Sequence, residues 1–322
     1  VAVRAFLSQF DIQCLRAYLR GTAIPDIEGH HNAQIVLVSK YVLDLQKSDP
    51  ERFDSFLIVV QGHMLANALL CPDLQSLPKT YNGVTFYLDT PLLVRLLGLE
   101  GDAKKDSISD LIELLISLGG HVGTFEHSRN ELESVIKGAA NHIESFKGRG
   151  AIVAEARQRG TTKSDMLMLA GQVDVRLSES KVNVIATPRY VADFQIDETA
   201  FSKALDGELQ YSNPYAKDYD INSVRSIYVL RAHSSPQNVE KCKAVVVTCN
   251  TAFARAAFRY GDKHQESREV STVITDFSLA NMAWLKAPMG APSIPMREVL
   301  AFSYAALQPS QAIWDKYLSE VE

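Results

Sequence analysis

Val84-Thr85-Phe86-Tyr87-Leu88-Asp89-Thr90-Pro91-Leu92-Leu93 places a strand, a polar turn and a helix start within ten residues. Residues 84–88 are β-branched, aromatic or apolar, as a buried strand requires. Thr90 suits a helix N-cap and Pro91 suits the first helical position, where its missing N–H costs nothing. The apolar spacing from Leu92 to Leu97 continues as a helix. Further along, a helix over Ile108–Leu118 leads through Gly119-Gly120 into a short strand, His121–Phe125, and a helix from Ser128. Val182–Ala186 reads as another strand. Ala244–Thr248 is a strand followed by a helix from Thr251. Thr272–Thr275 is the last strand, followed at Asp276 by a helix through Trp284. Short β runs alternating with helices call for βαβ units, hence an α/β fold with a mostly parallel sheet of about five strands.

Upstream of residue 81 the pattern is different. Phe6, Phe10, Leu15 and Leu19, then Ile35, Val38, Val42 and Leu45, then Phe53, Val60, Met64 and Leu69 recur at helical spacing, and no strand is needed. Residues 1–80 therefore read as an all-helical N-terminal module. Residues 81–322 read as the α/β domain, interrupted at about 137–180 by a basic helical insertion. From Lys137 to Lys163 this insertion sets six Lys and Arg against Glu144 and Glu155.

Hydrophobic residues at 46% and charged residues at 22% exclude a disordered chain. A formal charge of −5 excludes a globally basic nucleic-acid coat, though one local basic patch can still bind a polyanion. Cys14, Cys71, Cys242 and Cys249 form no C-x-x-C pair, so neither a zinc finger nor a disulfide framework is expected, and a reducing cytoplasm fits. The apolar run Phe56–Cys71 is broken by Gln61, His63 and Asn67, which marks a buried helix and no membrane span. The chain opens on Val1, which reads as a fragment or a processed product. Glycine-rich phosphate loops of the P-loop and dinucleotide types do not occur. A phosphoaspartyl site at Asp89 is excluded because Pro91 stands where a second aspartate would be needed.

In an open parallel sheet, ligands bind beyond the carboxyl ends of the strands. Asp89 follows the first strand, Glu131 stands on the helix after the second, Asn250 follows the Val245-Val246-Val247 strand and Asp276 follows the last. Asp220 stands on the helix preceding the Val245 strand. Acids gathered at one sheet edge repel one another unless a cation sits among them, and hard oxygen ligands suit Mg²⁺ or Mn²⁺. Such an ion can activate water and offset charge developing on a phosphodiester. Plainer roles exist for each. Glu131 with Ser128 makes a capping box, Asp220 can charge a first turn, and Asp276 and Asn250 can cap helices. Glu126 and Glu133 flank Glu131 and read as solvated. His30-His31 reads as a surface loop, and Trp284 and Trp314 as packing residues.

The motifs resemble the PIN-like nuclease superfamily over about residues 81–290. Phe86-Tyr87-Leu88-Asp89-Thr90-Pro91-Leu92-Leu93 is similar to the opening strand, aspartate and apolar helix of those domains. Ser128 to Leu132 resembles their glutamate-bearing helix start. Asp220-Ile221 resembles their third acid, and Val247-Thr248-Cys249-Asn250 the end of their Val-rich strand, with Asn250 in place of the commoner aspartate. The resemblance implies a three-layer α/β/α domain and a metal-dependent endonuclease hydrolysing RNA, less often DNA. Asp89, Glu131, Asp220 and Asp276 would then hold Mg²⁺ or Mn²⁺, with Asn250 ligating or orienting water. Lys147, Arg149, Arg157, Arg159, Lys163, Arg255 and Arg259 would hold the nucleic-acid backbone. It also implies a toxin or phage-defence role, in which the N-terminal helical module would meet a regulatory or sensor partner. The alternatives are a catalytically silent PIN-like scaffold binding nucleic acid or a partner protein, to which Asn250 points, and a structural subunit of a larger assembly.

Overall fold

The computed structural model describes residues 80–145, 148–211, 213–232, 234, 236–261 and 269–286, with 41, 44, 45, 48, 49 and 51–53. The expected N-terminal module falls outside these apart from that handful, of which 41, 44, 45, 48 and 51–53 are helical. Lys147, Cys14, Cys71, His30, His31, Trp314 and the side chain of Trp284 also lie outside the described residues.

Five parallel strands form one sheet in the order β3-β2-β1-β4-β5. They are β1 (Thr85–Leu88), β2 (His121–Phe125), β3 (Asn183–Ile185), β4 (Ala244–Thr248) and β5 (Val273–Thr275). β1 takes the centre, with Phe86 opposite Val122 of β2 and Val245 of β4. Such a position demands apolar residues on both faces, because a central parallel strand is covered on each side. Phe86 and Leu88 enter one core, whereas Tyr87 enters the other. β4 divides likewise, with Val245 and Val247 on one face and Ala244 and Val246 on the opposite one. The alternation follows from the two-residue period of a strand.

Ten helices are described: α1 (Thr90–Leu96), α2 (Asp102–Ser117), α3 (Glu126–His142), α4 (Ala151–Gln158), α5 (Lys163–Gly171), α6 (Val173–Glu179), α7 (Glu198–Glu208), α8 (Pro214–Arg231), α9 (Thr251–Tyr260) and α10 (Asp276–Lys286). α1, α2, α3 and α10 supply the first core, and α7, α8 and α9 the second. The expected insertion comprises the end of α3 and the helices α4 to α6. It is no appendage, since Val153, Met166, Ala170, Val173 and Leu177 are buried in the first core. Sequence spacing places the starts of α2 and α3 late. The first turns of both are polar, and α3 begins directly at Glu126 with no side-chain cap.

Two glycines are required by the backbone. Gly119 ends α2 at φ +82°, where a Cβ is strained, and its N–H returns to the Ile116 carbonyl at 2.9 Å. Gly123 lies inside β2, where a Cβ would meet Ile185 Cδ1 at 2.8 Å and the Asn183 carbonyl at 2.9 Å. The guanidinium of Arg231, at the end of α8, is buried and donates to the carbonyls of Ala244, Val270 and Ser271 at 2.7–2.9 Å. This ties α8 to β4 and to the approach to β5. Among the described residues no helix is long and apolar enough to cross a membrane. Cys242 and Cys249 are free thiols, and burial pushes them up to about 11 and about 12, so neither is a ready nucleophile.

Candidate acidic site at the strand ends

The chain runs out from β1 to β2 on one side and returns to β4 on the other. The crevice between β1 and β4 is thus where a ligand site forms in such sheets. Asp89 stands there. Its N–H continues the ladder to the Val247 carbonyl at 2.9 Å, and it is itself the N-cap of α1. The sequence pattern assigns that cap to Thr90, but Thr90 is already helical, because the strand ladder holds Asp89 extended at φ −76°, ψ 158°. One Asp89 oxygen accepts from the Thr90 N–H at 2.8 Å, and the other accepts from the Thr248 hydroxyl at 2.8 Å.

Glu131 lies inside α3. The capping box expected with Ser128 does not form, because the helix begins before both residues. Its carboxylate instead accepts the Thr90 hydroxyl at 2.5 Å. Asp220 lies in the second turn of α8, not in its first, and accepts the Tyr211 hydroxyl at 2.6 Å. Each of the three acids therefore holds one hydroxyl donor from a different segment: Thr248 at the end of β4, Thr90 at the start of α1 and Tyr211 between α7 and α8.

The three carboxyls also feel one another. Burial pushes Asp89 up to about 6 against its two hydrogen bonds. Burial likewise pushes Glu131 up to about 7, with the Asp89 charge adding to it. Asp220 is raised well above the ordinary carboxylate range by burial, then by the charges of Asp89 and Glu131, against the Tyr211 bond. Desolvated like charges resist common ionisation. An arrangement of this kind recurs where acids serve chemistry.

Asp276 and the Asn250 side chain engage other partners, although the Asn250 N–H donates to the Thr248 hydroxyl that holds Asp89, at 3.0 Å. Asp276 opens α10, accepts the Phe277 N–H at 2.9 Å and pairs with Arg95 at 3.6 Å, and Arg95 also meets Glu100. Burial raises it and the Arg95 charge opposes, with no contribution from Asp89, Glu131 or Asp220. The expected compensation for Asn250 by Asp276 is thus replaced by a local ion pair. Asn250 caps α9, and its amide oxygen accepts from the N–H groups of Ala252 and Phe253 at 3.1 and 3.2 Å. That oxygen is committed to the helix, so the expected ligand role gives way to the capping one. Glu133 pairs with Arg129 and Lys137, and Glu126 is exposed, as expected of solvated acids.

The basic residues expected to hold phosphates are mostly engaged within the fold. Arg157 donates to the carbonyls of His142, Ile143, Ser145 and Gly148 at 2.6–3.1 Å and shapes the turn after α3. Arg159 pairs with Glu155 and Asp102. Arg255 and Arg259 both pair with Glu208. Arg149 and Lys163 remain as surface cations of the insertion. Periodicity foresees the Glu155–Arg159 pair one helical turn apart, but not the backbone carbonyls at Arg157 or the distant acids Asp102 and Glu208. Arg157→Ala should lower stability by about 1–3 kcal/mol, since it strands several carbonyls. The salt dependence of nucleic-acid binding should not change. A flatter slope in a binding titration with an unchanged melting temperature would return Arg157 to phosphate contact.

Sequence reasoning did not single out Tyr211 or His127. Tyr211 carries no motif, because a loop tyrosine is ordinary until the fold sets it beside an acid. His127 follows β2 by two residues. Its Nδ1 meets the Thr187 hydroxyl at 2.9 Å and its Nε2 the Ser223 hydroxyl at 2.8 Å. Burial, with the nearby Arg225 charge, lowers it to about 4, so the ring is neutral at physiological pH. Tyr87, Phe125, His127 and Tyr219 form a row of near-parallel rings, with centroids 4.1, 5.2 and 6.3 Å apart.

Among the described residues no three His, Cys, Asp or Glu side chains stand in an arrangement that could hold a metal ion. The donor chemistry of Asp89, Glu131 and Asp220 nevertheless fits a hard divalent cation. All three offer carboxylate oxygens, and their mutual repulsion is what such an ion relieves. Mg²⁺ is commonly held by one or two carboxylates with water completing the shell, so a closed three-acid cage is not required. No family model, curated protein or solved structure matches the chain.

Proposed function

We propose that this chain is a metal-dependent phosphodiesterase of PIN-like, three-layer α/β/α architecture that cleaves nucleic-acid strands, RNA before DNA. The observation that carries the proposal is the meeting of three carboxyls, Asp89, Glu131 and Asp220, from three segments beside β1, each raised by burial, with the Asp89 charge adding to the other two. Carboxyls raised by burial at the carboxyl ends of a parallel sheet mark a candidate functional site. The PIN-like resemblance of the same residues supports the assignment, and a toxin or phage-defence role rests on that resemblance alone.

One or two of Asp89, Glu131 and Asp220 would hold Mg²⁺ or Mn²⁺, with water completing the shell. When bound, the ion would supply an activated water and neutralise charge developing on the phosphate. The chain's own groups do the rest. Thr248, Thr90 and Tyr211 fix one oxygen of each acid, so the remaining lone pairs are presented in a set direction. Asn250 holds the start of α9 against the end of β4.

A second assignment, a silent scaffold that binds nucleic acid without cutting it, draws on the amide oxygen of Asn250, engaged by the first turn of α9. Incubating the purified chain with end-labelled RNA, single-stranded DNA and duplex DNA, in Mn²⁺, in Mg²⁺ and in EDTA, separates the two. Cleavage of RNA that EDTA stops is the expected result. Intact substrate in both metals, with binding retained, would favour the scaffold.

A further inference from the structure

His127 does more than fill space at the sheet edge. Its two ring nitrogens tie together the loop after β3, through Thr187, and helix α8, through Ser223. Each tied segment then exposes a tyrosine. Tyr190, three residues beyond Thr187, is 67% exposed. Tyr215 on α8 is 70% exposed. Tyr219, one turn from Tyr215 and one turn from Ser223, stacks on the His127 ring at 6.3 Å and within 5° of parallel.

Of the three tyrosines, Tyr219 rests on buried structure. Behind Tyr219 the row continues through His127 to Phe125 and Tyr87, the last two buried in the core. Arg189 is exposed next to Tyr190, and Asp218 is exposed next to Tyr219. The acidic site is built on the same two helices. Glu131 is one turn beyond His127 on α3, and Asp220 is one turn before Ser223 on α8.

We infer that Tyr190, Tyr215 and Tyr219 form a stacking ledge for the unpaired bases of a single nucleic-acid strand, with Arg189 taking a phosphate of that strand beside the acidic site. It rests on the phosphodiesterase proposed above for what happens to the strand, but not for its binding. Every base has a π-face, so a ledge of this kind accepts any sequence, provided that the bases are unpaired. A duplex keeps its bases stacked on each other and offers the ledge nothing. The strand-holding surface thereby moves from the basic insertion, whose arginines are largely engaged, to the β2–β3 side of the strand ends.

Fluorescence anisotropy on the full chain in EDTA, with labelled ten-nucleotide oligo(U), oligo(dT), an abasic strand of equal length and a ten-base-pair duplex, tests the ledge without calling on cleavage. Tight binding is expected for both normal strands and at least about tenfold weaker binding for the abasic strand and the duplex. Tyr215→Ala, at a position too exposed to affect folding, should weaken oligo(U) binding by about tenfold. Tyr215→Trp should retain it, and neither should alter the salt slope. Arg189→Ala should lower that slope by about 0.7. Equal affinity for abasic and normal strands, or full affinity in Tyr190→Ala and Tyr215→Ala together, would overturn the ledge even if the wild type cleaves RNA. Base-dependent binding without cleavage in Mn²⁺ would uphold the ledge and remove the phosphodiesterase.

Discussion

Asp89→Asn is expected to abolish Mn²⁺-dependent cleavage and, in the metal-free protein at pH 7–8, to raise the melting temperature. The two effects share one cause. Asp89 is buried among like charges, and its ionised form is disfavoured in the fold. An asparagine keeps the α1 cap, since Asn and Asp cap equally well. It also removes the charge that raises Glu131 and Asp220. The folded state gains, whereas a bound cation loses a ligand. Charge stabilisation by a metal ion is worth several kcal/mol, so the loss in kcat should be on the order of a thousandfold or more. Thermal melts in EDTA beside single-turnover cleavage in Mn²⁺ measure both. Wild-type cleavage in the well-folded variant would remove Asp89 from the reaction. A lowered melting temperature would mean that its hydrogen bonds to Thr90 and Thr248 outweigh the repulsion.

The second large effect is on stability against pH. Carboxyls raised in the folded state bind more protons there than in the unfolded chain. Stability is then fully present below the unfolded values, near 4, and is lost as pH rises through the folded ones. For Asp89 and Glu131 those lie at about 6 and about 7, and Asp220 is displaced in the same direction. Metal-free protein should therefore lose stability between about pH 4 and pH 7. Each of the two shifts corresponds to on the order of 3 kcal/mol. Because the acids repel one another, neutralising one relieves part of the others. Mn²⁺ should reverse the trend, raising the melting temperature most at pH 7–8, where the carboxyls are ionised and can bind it. Urea titrations from pH 4 to 8, in EDTA and in Mn²⁺, give the two curves. Parallel curves would show that the acids do not share a cation. His127 is lowered in the fold, so its contribution is the reverse over its own range, absent at low pH and gained as pH rises from about 4 to the unfolded value near 6.5. The His127→Gln variant separates the two.

Much of this molecule is legible along the chain. The β-favouring runs ending at Leu88, Phe125, Thr248 and Thr275 all became strands, and the polar residues following them came to one edge of a parallel sheet. This follows from local chemistry. A buried parallel strand must be apolar on both faces, and it must stop where a polar residue and a helix cap begin. Asp89 was recognisable because its strand end is fixed by that pattern, and Glu131 and Asp220 because they stand on the helices that follow β2 and precede β4. What each side chain does at the edge is not local. Asn250 and Asp276 both follow a strand closely, yet one spends its oxygen on the first turn of α9 and the other meets Arg95 from α1. Arg157 and Arg259 look alike in a charge count, but one is consumed by four carbonyls and the other by Glu208. Tyr211 and His127 acquire partners only when α8 is laid across the sheet, bringing Asp220 and Ser223 to them. The sequence alone determined the sheet, its polar edge and the acids available there. The tertiary structure decided which acids share one desolvated space, because burial and mutual charge act over a few ångströms between segments far apart in the chain.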